Sequence, residues 1–313
     1  MKTIITKDPI EAAAFIKKGG IVAFPTETVY GLGANLFDSA AVERIFKAKR
    51  RPADNPLIAH IADGGQVAEL AASVPEHARM LMDTFFPGPL TIVLKKTGKV
   101  PLIATAGLAT IGIRMPAFET ARLFLAQAGV PVSAPSANLS GRPSPTTWEA
   151  VAEDLDGRID CILAGEATEI GLESTVVDCT GNAPLLLRKG SVSLAELQRF
   201  VAETRSAEAS EAETVRSPGL QHKHYSPQGS VVLIDPRSEI SDLRSGAGYI
   251  GLHERNGKFA AALVCGSVND YAHSLFEFFR NCDRKGIGTI YCERVDEAGI
   301  GAALMDRLRR AAE

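Results

Sequence analysis

The chain has 313 residues, 45% of them hydrophobic and 23% charged, with 34 Lys and Arg against 37 Asp and Glu and a formal net charge of −3. Those are ordinary globular values for a chain of about two domains, either of which is long enough to bury a core. The mild negative balance argues against a protein that coats nucleic acid by bulk attraction, while leaving room for a local basic groove.

In chain order, Asp8 is placed to cap a helix through Glu11–Lys18, stopped by Gly19 and Gly20, and residues 21–24 (IVAF) form a short apolar strand that ends at Pro25. Asp38 caps a second helix, in which Val42, Ile45 and Phe46 recur at helical spacing, and residues 57–61 (LIAHI) form another strand. Further helices are predicted at Glu76–Phe85, Glu119–Ala128 and Thr147–Leu155, and strands at 90–95, 110–114, 131–134, 159–164, 174–179 and 184–188. Several of the later strands follow one another with no helix between them, which predicts a mixed sheet flanked by helices. Residues 202–216 are small and acidic and lead into a linker, 217–227 (SPGLQHKHYSP). The β/α rhythm then restarts with strands at 231–234, 248–252, 261–265 and 287–292 and an amphipathic helix near 271–282, a small second α/β domain.

The N-terminus lacks the long apolar core of a signal peptide, and no stretch reaches the roughly eighteen apolar residues of a membrane span. Five cysteines, at 161, 179, 265, 282 and 292, are scattered without a C-x-x-C pair. That pattern predicts reduced, mostly buried thiols in a cytoplasmic protein, with no zinc site.

The familiar nucleotide signatures are missing. There is no G-x-x-x-x-G-K-[ST] loop, and GLGANL (31–36) places Leu36 where a dinucleotide fingerprint needs its third glycine. No G-x-S-x-G elbow or H-E-x-x-H pair occurs. Instead, polar stretches stand at the ends of apolar strands: PTETVYG (25–31), KAKRRPADNPL (47–57), TIGIRMP (110–116), SAPSANLSG (133–141), ESTVVD (173–178) and LLRKG (186–190). Strand ends in α/β sheets are where ligands usually sit. Each stretch also has a plain structural reading. PTET is a turn, the cluster Lys47, Lys49, Arg50 and Arg51 complements a helix C-terminus, and His60 is a satisfied core histidine. Arg114 interrupts an apolar strand and needs an anionic partner, either an internal carboxylate or a ligand.

Together PTETVYGLG, the K-x-R element (Lys49, Arg51) with DNPL, FFPGPLT (85–91), the S-x-N element (Ser136, Asn138) and STVVD with LRKG resemble the YrdC-domain family, in order, over roughly residues 10–200. The HYSP linker (224–227) and trailing domain are similar to the longer, two-domain threonylcarbamoyl-AMP synthases of that family. The resemblance implies an α/β fold: a twisted mixed (parallel and antiparallel) sheet flanked by helices, plus a small C-terminal Rossmann-like α/β domain. It divides the chain into a catalytic domain (1–205), a linker or lid (206–229) and a C-terminal domain (230–313).

It also implies a nucleotidyltransferase that condenses L-threonine, bicarbonate or CO2 and ATP into threonylcarbamoyl-adenylate and pyrophosphate, with Mg2+ accompanying ATP. The product would feed the t6A modification of adenosine 37 in tRNA. Such chemistry needs no catalytic triad, because a carbamate oxygen is already an anionic nucleophile and requires only alignment and charge neutralisation. By position in the motifs, Lys49 and Arg51 match the catalytic and triphosphate-binding residues. Asn55, Thr110, Ser136, Asn138, Ser144, Arg188 and Tyr225 match further ATP contacts. Thr28, His60, Arg114, Ala134 and Ser174 match the threonine-binding positions, with Arg114 a natural fork for a carboxylate. The linker Gln221–Pro227 is expected to act as a lid. The implied partner is the downstream tRNA threonylcarbamoyltransferase complex, with weak or no direct tRNA binding and no membrane. Two other readings compete. An RNA-binding module would show steep salt dependence and no ATP turnover, and a carbamoyltransferase would carry cysteine pairs that this chain lacks.

Overall fold

The computed structural model describes residues 2–207, 226–236 and 245–313. The first part of the chain builds one eleven-stranded mixed sheet. Its strands are β1 (Ile4–Thr6), β2 (Val22–Phe24), β3 (Gly31–Asn35), β4 (Ile58–His60), β5 (Leu90–Lys95), β6 (Thr110–Arg114), β7 (Val132–Ser133), β8 (Cys161–Leu163), β9 (Thr175–Asp178), β10 (Leu185–Arg188) and β11 (Arg205–Ser206). The spatial order is β1-β8-β2-β3-β7-β4-β6-β5-β9-β10-β11. Around it lie helices α1 (Pro9–Lys17), α2 (Ser39–Lys49), α3 (Val67–Leu70), α4 (Glu76–Phe85), α5 (Glu119–Ala128), α6 (Trp148–Leu155) and α7 (Leu194–Phe200). Asp8, Asp38 and Thr147 accept backbone N–H groups as N-caps of α1, α2 and α6.

One strand lies in a stretch to which the sequence reading gave no element. GLGAN pairs antiparallel with β2 and β7 as β3, with Leu32 and Ala34 in the core. Its glycines hide the strand from a propensity reading. Packing requires them, since a Cβ at Gly33 would stand 2.6 Å from Val132 Cγ1. The stretch 25–30 is therefore the loop of a β2–β3 hairpin.

Strand directions gather the motif ends. β5 runs antiparallel to β6 and parallel to β9, and β10 runs antiparallel to β9. The end of β6 (Arg114), the starts of β5 and β9, and the end of β10 (Arg188) consequently share one edge. β4 is parallel to β6 with His60 in register opposite Arg114.

The second sheet is parallel throughout, in the order β12 (Ser230–Ile234), β15 (Thr289–Glu293), β13 (Gly248–Gly251), β14 (Ala261–Val264). It packs with α8 (Val268–Arg284) and α9 (Gly301–Ala312). Val29 and Leu172 of the first part belong to this second apolar cluster, so the two units share buried surface. Gly171 makes the approach possible. Its φ is +81°, and a Cβ there would lie 2.5 Å from His273 Cα on α8. All five cysteines are free and buried. Among the described residues no helix is long and apolar enough to cross a membrane.

Candidate active site

The motif ends converge on one half-open cleft. Four arginines (Arg51, Arg114, Arg142, Arg188) and one carboxylate (Glu173) line it, together with small hydroxyls and His60. That balance suits a polyanionic ligand. Of the residues expected from sequence, Thr28, Arg51, His60, Arg114, Ala134, Ser136, Asn138, Ser144, Ser174 and Arg188 line this one cleft.

At one end lies the PTET loop, polar yet buried through Thr26, Glu27 and Thr28. Thr26 Oγ1 donates to Val29 O (2.7 Å) and lies 2.9 Å from Thr28 Oγ1, which pins the turn. Arg114 Nη1 donates to Thr28 Oγ1 (2.7 Å), and its Nε donates to Gly88 O (3.3 Å). Its Nη2 stands 2.8 Å from Glu27 Oε1, an ion pair whose angles fall outside hydrogen-bond geometry. The anionic partner of Arg114 in this structure is thus an internal carboxylate, Glu27. Guanidinium N–H groups still remain for a ligand.

His60 is buried, and desolvation followed by the neighbouring Arg114 cation pushes its imidazole down to about 3. The ring is therefore neutral at physiological pH. Its Nδ1 lies 3.3 Å from Ile58 O, and the backbone of Val132 also meets the ring; the neutral imidazole carries a single proton, so one ring nitrogen donates and the other accepts. Opposite, Ser174 Oγ lies 2.8 Å from Thr91 Oγ1, while Arg188 donates from Nε to Ser174 O and from Nη2 to Ser174 Oγ, each at 3.1 Å.

The other end is built by the loop after β7. Lys49, at the last turn of α2, is buried, and its Nζ donates to Ser136 O and Asn138 O, each at 2.5 Å. Burial, and then repulsion from Arg51, push this ammonium well below the usual lysine range. Lys49 is not among the lining residues. It holds the S-x-N loop from behind, where sequence reading assigned it direct phosphate contact. Ser136 Oγ donates to Asn138 Oδ1 (2.5 Å), and Asn138 Nδ2 donates to Leu139 O and Arg142 O.

Arg50 ends α2 in the left-handed conformation (φ 52°), two residues before Pro52, which forbids continuation. The following residue, Arg51, faces the cleft, with Nε on Asn55 O (3.3 Å) and Nη2 on Pro56 O (3.1 Å). Asn55 is buried outside the lining, and its backbone braces Arg51. Thr110 is also outside the lining, four residues or about 13 Å down β6 from Arg114. Tyr225 and the lid segment 221–225 lie outside the described residues.

Sequence reading missed Glu27, Arg142 and Glu173 as individual site residues. Each stands one or a few positions from a residue it did name, and only side-chain direction distinguishes them. Glu173 accepts from Ser144 Oγ at Oε1 (2.5 Å) and from Arg307 Nε at Oε2 (2.9 Å). Burial raises its pKa, but Arg307, Arg188 and the Ser144 hydroxyl outweigh burial and hold the carboxyl below the usual range. Both of its oxygens are engaged, and among the described residues no cluster of three or more His, Cys, Asp or Glu is arranged to hold a metal.

An arginine-walled cleft on a mixed sheet belongs here to a chain of the Sua5–YciO–YrdC class: residues 14–190 match that family's model, described as telomere recombination. Escherichia coli YciO shows the same fold for this part alone, at 27% identity and a TM-score of 0.53, covering 60% of this chain and 94% of YciO. The chain belongs to the threonylcarbamoyl-AMP synthase family in its two-domain form, since residues 192–313 match the model of that enzyme's C-terminal domain. It is 45% identical to the threonylcarbamoyl-AMP synthase of Pyrococcus abyssi, over 96% of this chain and 92% of the relative. Identity to that of Bacillus subtilis is 40%, over 98% and 94%. The structure of P. abyssi Sua5 complexed with L-threonine superposes with a TM-score of 0.92 at 42% identity, covering 100% of this chain and 98% of that one.

Proposed function

We propose that this chain is a threonylcarbamoyl-AMP synthase, joining L-threonine, CO2 or bicarbonate and ATP into threonylcarbamoyl-adenylate with release of pyrophosphate. The observation that carries the reading is the full-length similarity to a structure holding L-threonine, combined with a cleft lined by four arginines, small hydroxyls and His60. At the amino-acid end, Arg114 offers N–H groups to a carboxylate, and Thr28 and Ser174 offer hydroxyls. Neutral His60 accepts from an amine. With a pKa of about 3, His60 is too weak a base to take the amine's proton at neutral pH.

The amine attacks CO2 and loses a proton, giving a carbamate. A carbamate oxygen then attacks the α-phosphorus of ATP, and the bond from that phosphorus to the bridging oxygen breaks as pyrophosphate departs. Arg51, Arg142 and Arg188 face the space where phosphate charge would develop, and the Ser136–Asn138 loop, held by Lys49, shapes its floor. Mg2+ enters as part of the substrate MgATP, carried by the phosphates.

A carbamate loses CO2 and an acyl-adenylate hydrolyses readily in water, so the product is one to be used at once, and it passes to a tRNA-modifying transferase in the cytoplasm. ATP–pyrophosphate exchange, run with each of the twenty amino acids with and without bicarbonate, tests the reading. Exchange that depends on both threonine and bicarbonate supports it, and exchange indifferent to either overturns it.

A further inference from the structure

Two arginines of the C-terminal unit are almost wholly buried, and both reach into the first unit. Arg280 on α8 and Arg307 on α9 are each 1% exposed. Burying a guanidinium is costly unless charge and hydrogen bonds compensate it. Arg280 Nη2 donates to Asp154 Oδ2 (2.9 Å) and Pro143 O (2.6 Å). Arg307 donates from Nε to Glu173 Oε2 (2.9 Å) and from Nη2 to Lys189 O (3.1 Å), while its Nη1 meets Asp306 (2.6 Å) on its own helix.

Both contacts lead to the same stretch of the cleft wall. Asp154 accepts from Leu139 N (3.1 Å) and from Arg142 Nη1. Glu173, the one carboxylate lining the cleft, accepts from Ser144 Oγ. The segment 139–144, which carries Arg142 and Ser144, is thereby tied at both ends to arginines of the other unit.

We propose that Arg307 is a positioning residue for the nucleotide end of the cleft: it neutralises Glu173 and turns that carboxylate into the hydrogen-bond acceptor that orients Ser144, so that a triphosphate can bind beside it. The inference rests on the reading of the cleft as a nucleotide site. It gives the C-terminal unit a defined part in catalysis, because without that unit Glu173 would lose its hydrogen-bonded cation and keep only Arg188 and the Ser144 hydroxyl to offset its charge in an anion pocket. Removing the neutralising cation weakens ATP, whose charge is concentrated there. It leaves threonine, bound at the Arg114 end, nearly unaffected. A merely adhesive Arg307 would lower thermal stability without distinguishing the two substrates.

The test uses full-length wild type, R307M, E173Q and R307M/E173Q, each assayed for ATP affinity by calorimetry, threonine affinity and pyrophosphate exchange. R307M is expected to weaken ATP about tenfold or more with threonine within about twofold, and the double variant to recover most of that loss, because the offending charge is gone. Equal losses for both ligands, an unchanged R307M, or a double variant no better than R307M would each overturn the proposal. If R307M does not fold, R307K and R307Q take its place: R307Q weakening ATP about tenfold while R307K stays within about threefold, with threonine affinity unchanged in both, supports neutralisation, and two variants alike in ATP affinity overturn it. A wild type that neither binds ATP nor exchanges pyrophosphate overturns the functional reading and this inference together. A wild type that does both beside an indistinguishable R307M overturns this inference alone.

Discussion

Replacing His60 with glutamine tests the electrostatic state of the cleft floor. Burial and the Arg114 cation hold the imidazole at about 3 in the folded chain, against about 6.5 unfolded. Between those values the unfolded chain binds a proton that the folded chain does not. Stability from this group is therefore full above about pH 6.5 and declines as pH falls toward 3. At about pH 5 the unfolded histidine is some 1.5 units below its pKa, so the penalty is about 2 kcal/mol, rising further by pH 4. Other histidines contribute equally to wild type and H60Q, so the difference between the two proteins isolates this one.

Urea unfolding of both proteins at about pH 7.5 and about pH 5 should show wild type losing about 2 kcal/mol more than H60Q over that interval. Followed by NMR, the wild-type His60 ring resonance should stay flat from about pH 8 to about pH 4.5. Parallel losses in the two proteins, or a ring titrating near 6, would refute the placement of a neutral histidine beside Arg114.

Three further outcomes are expected. Lys49→Met leaves the carbonyls of Ser136 and Asn138 without their donor, at about 1–3 kcal/mol for an unsatisfied buried group, and should raise KM for ATP at least about tenfold while sparing threonine affinity. Steady-state kinetics with each substrate varied would check it. Glu27→Gln removes the counter-charge of buried Arg114 and should cost about 3 kcal/mol in denaturant unfolding, with threonine bound at least as tightly because the guanidinium is released to it. Gly171→Ala puts a methyl 2.5 Å from His273 Cα at a positive φ, and should split calorimetric unfolding into two transitions or cost about 1–3 kcal/mol.

Much of the site was legible because its chemistry is local. Cap residues, the apolar runs of β5 and β6, and the helices at Glu76–Phe85 and Glu119–Ala128 fall at the expected limits, since periodicity and capping are written in neighbouring residues. Strand β3 was not legible, because its glycines answer to Phe24 and Val132, which are distant or out of phase in sequence. Helix α9 was equally silent, lacking a side-chain N-cap to announce its start.

The sequence by itself determined which polar segments end the apolar strands, and through them the family and most of the cleft-lining residues. Only the tertiary structure decided direction and partnership: that Lys49 braces a loop from behind, that Arg114 faces Glu27, and that Arg307 reaches Glu173 across 134 residues of chain. Motif spacing reports which residues lie near one another along a strand or turn. Which way a charged side chain points, and what neutralises it once water is excluded, depends on elements that meet only after the sheets have packed.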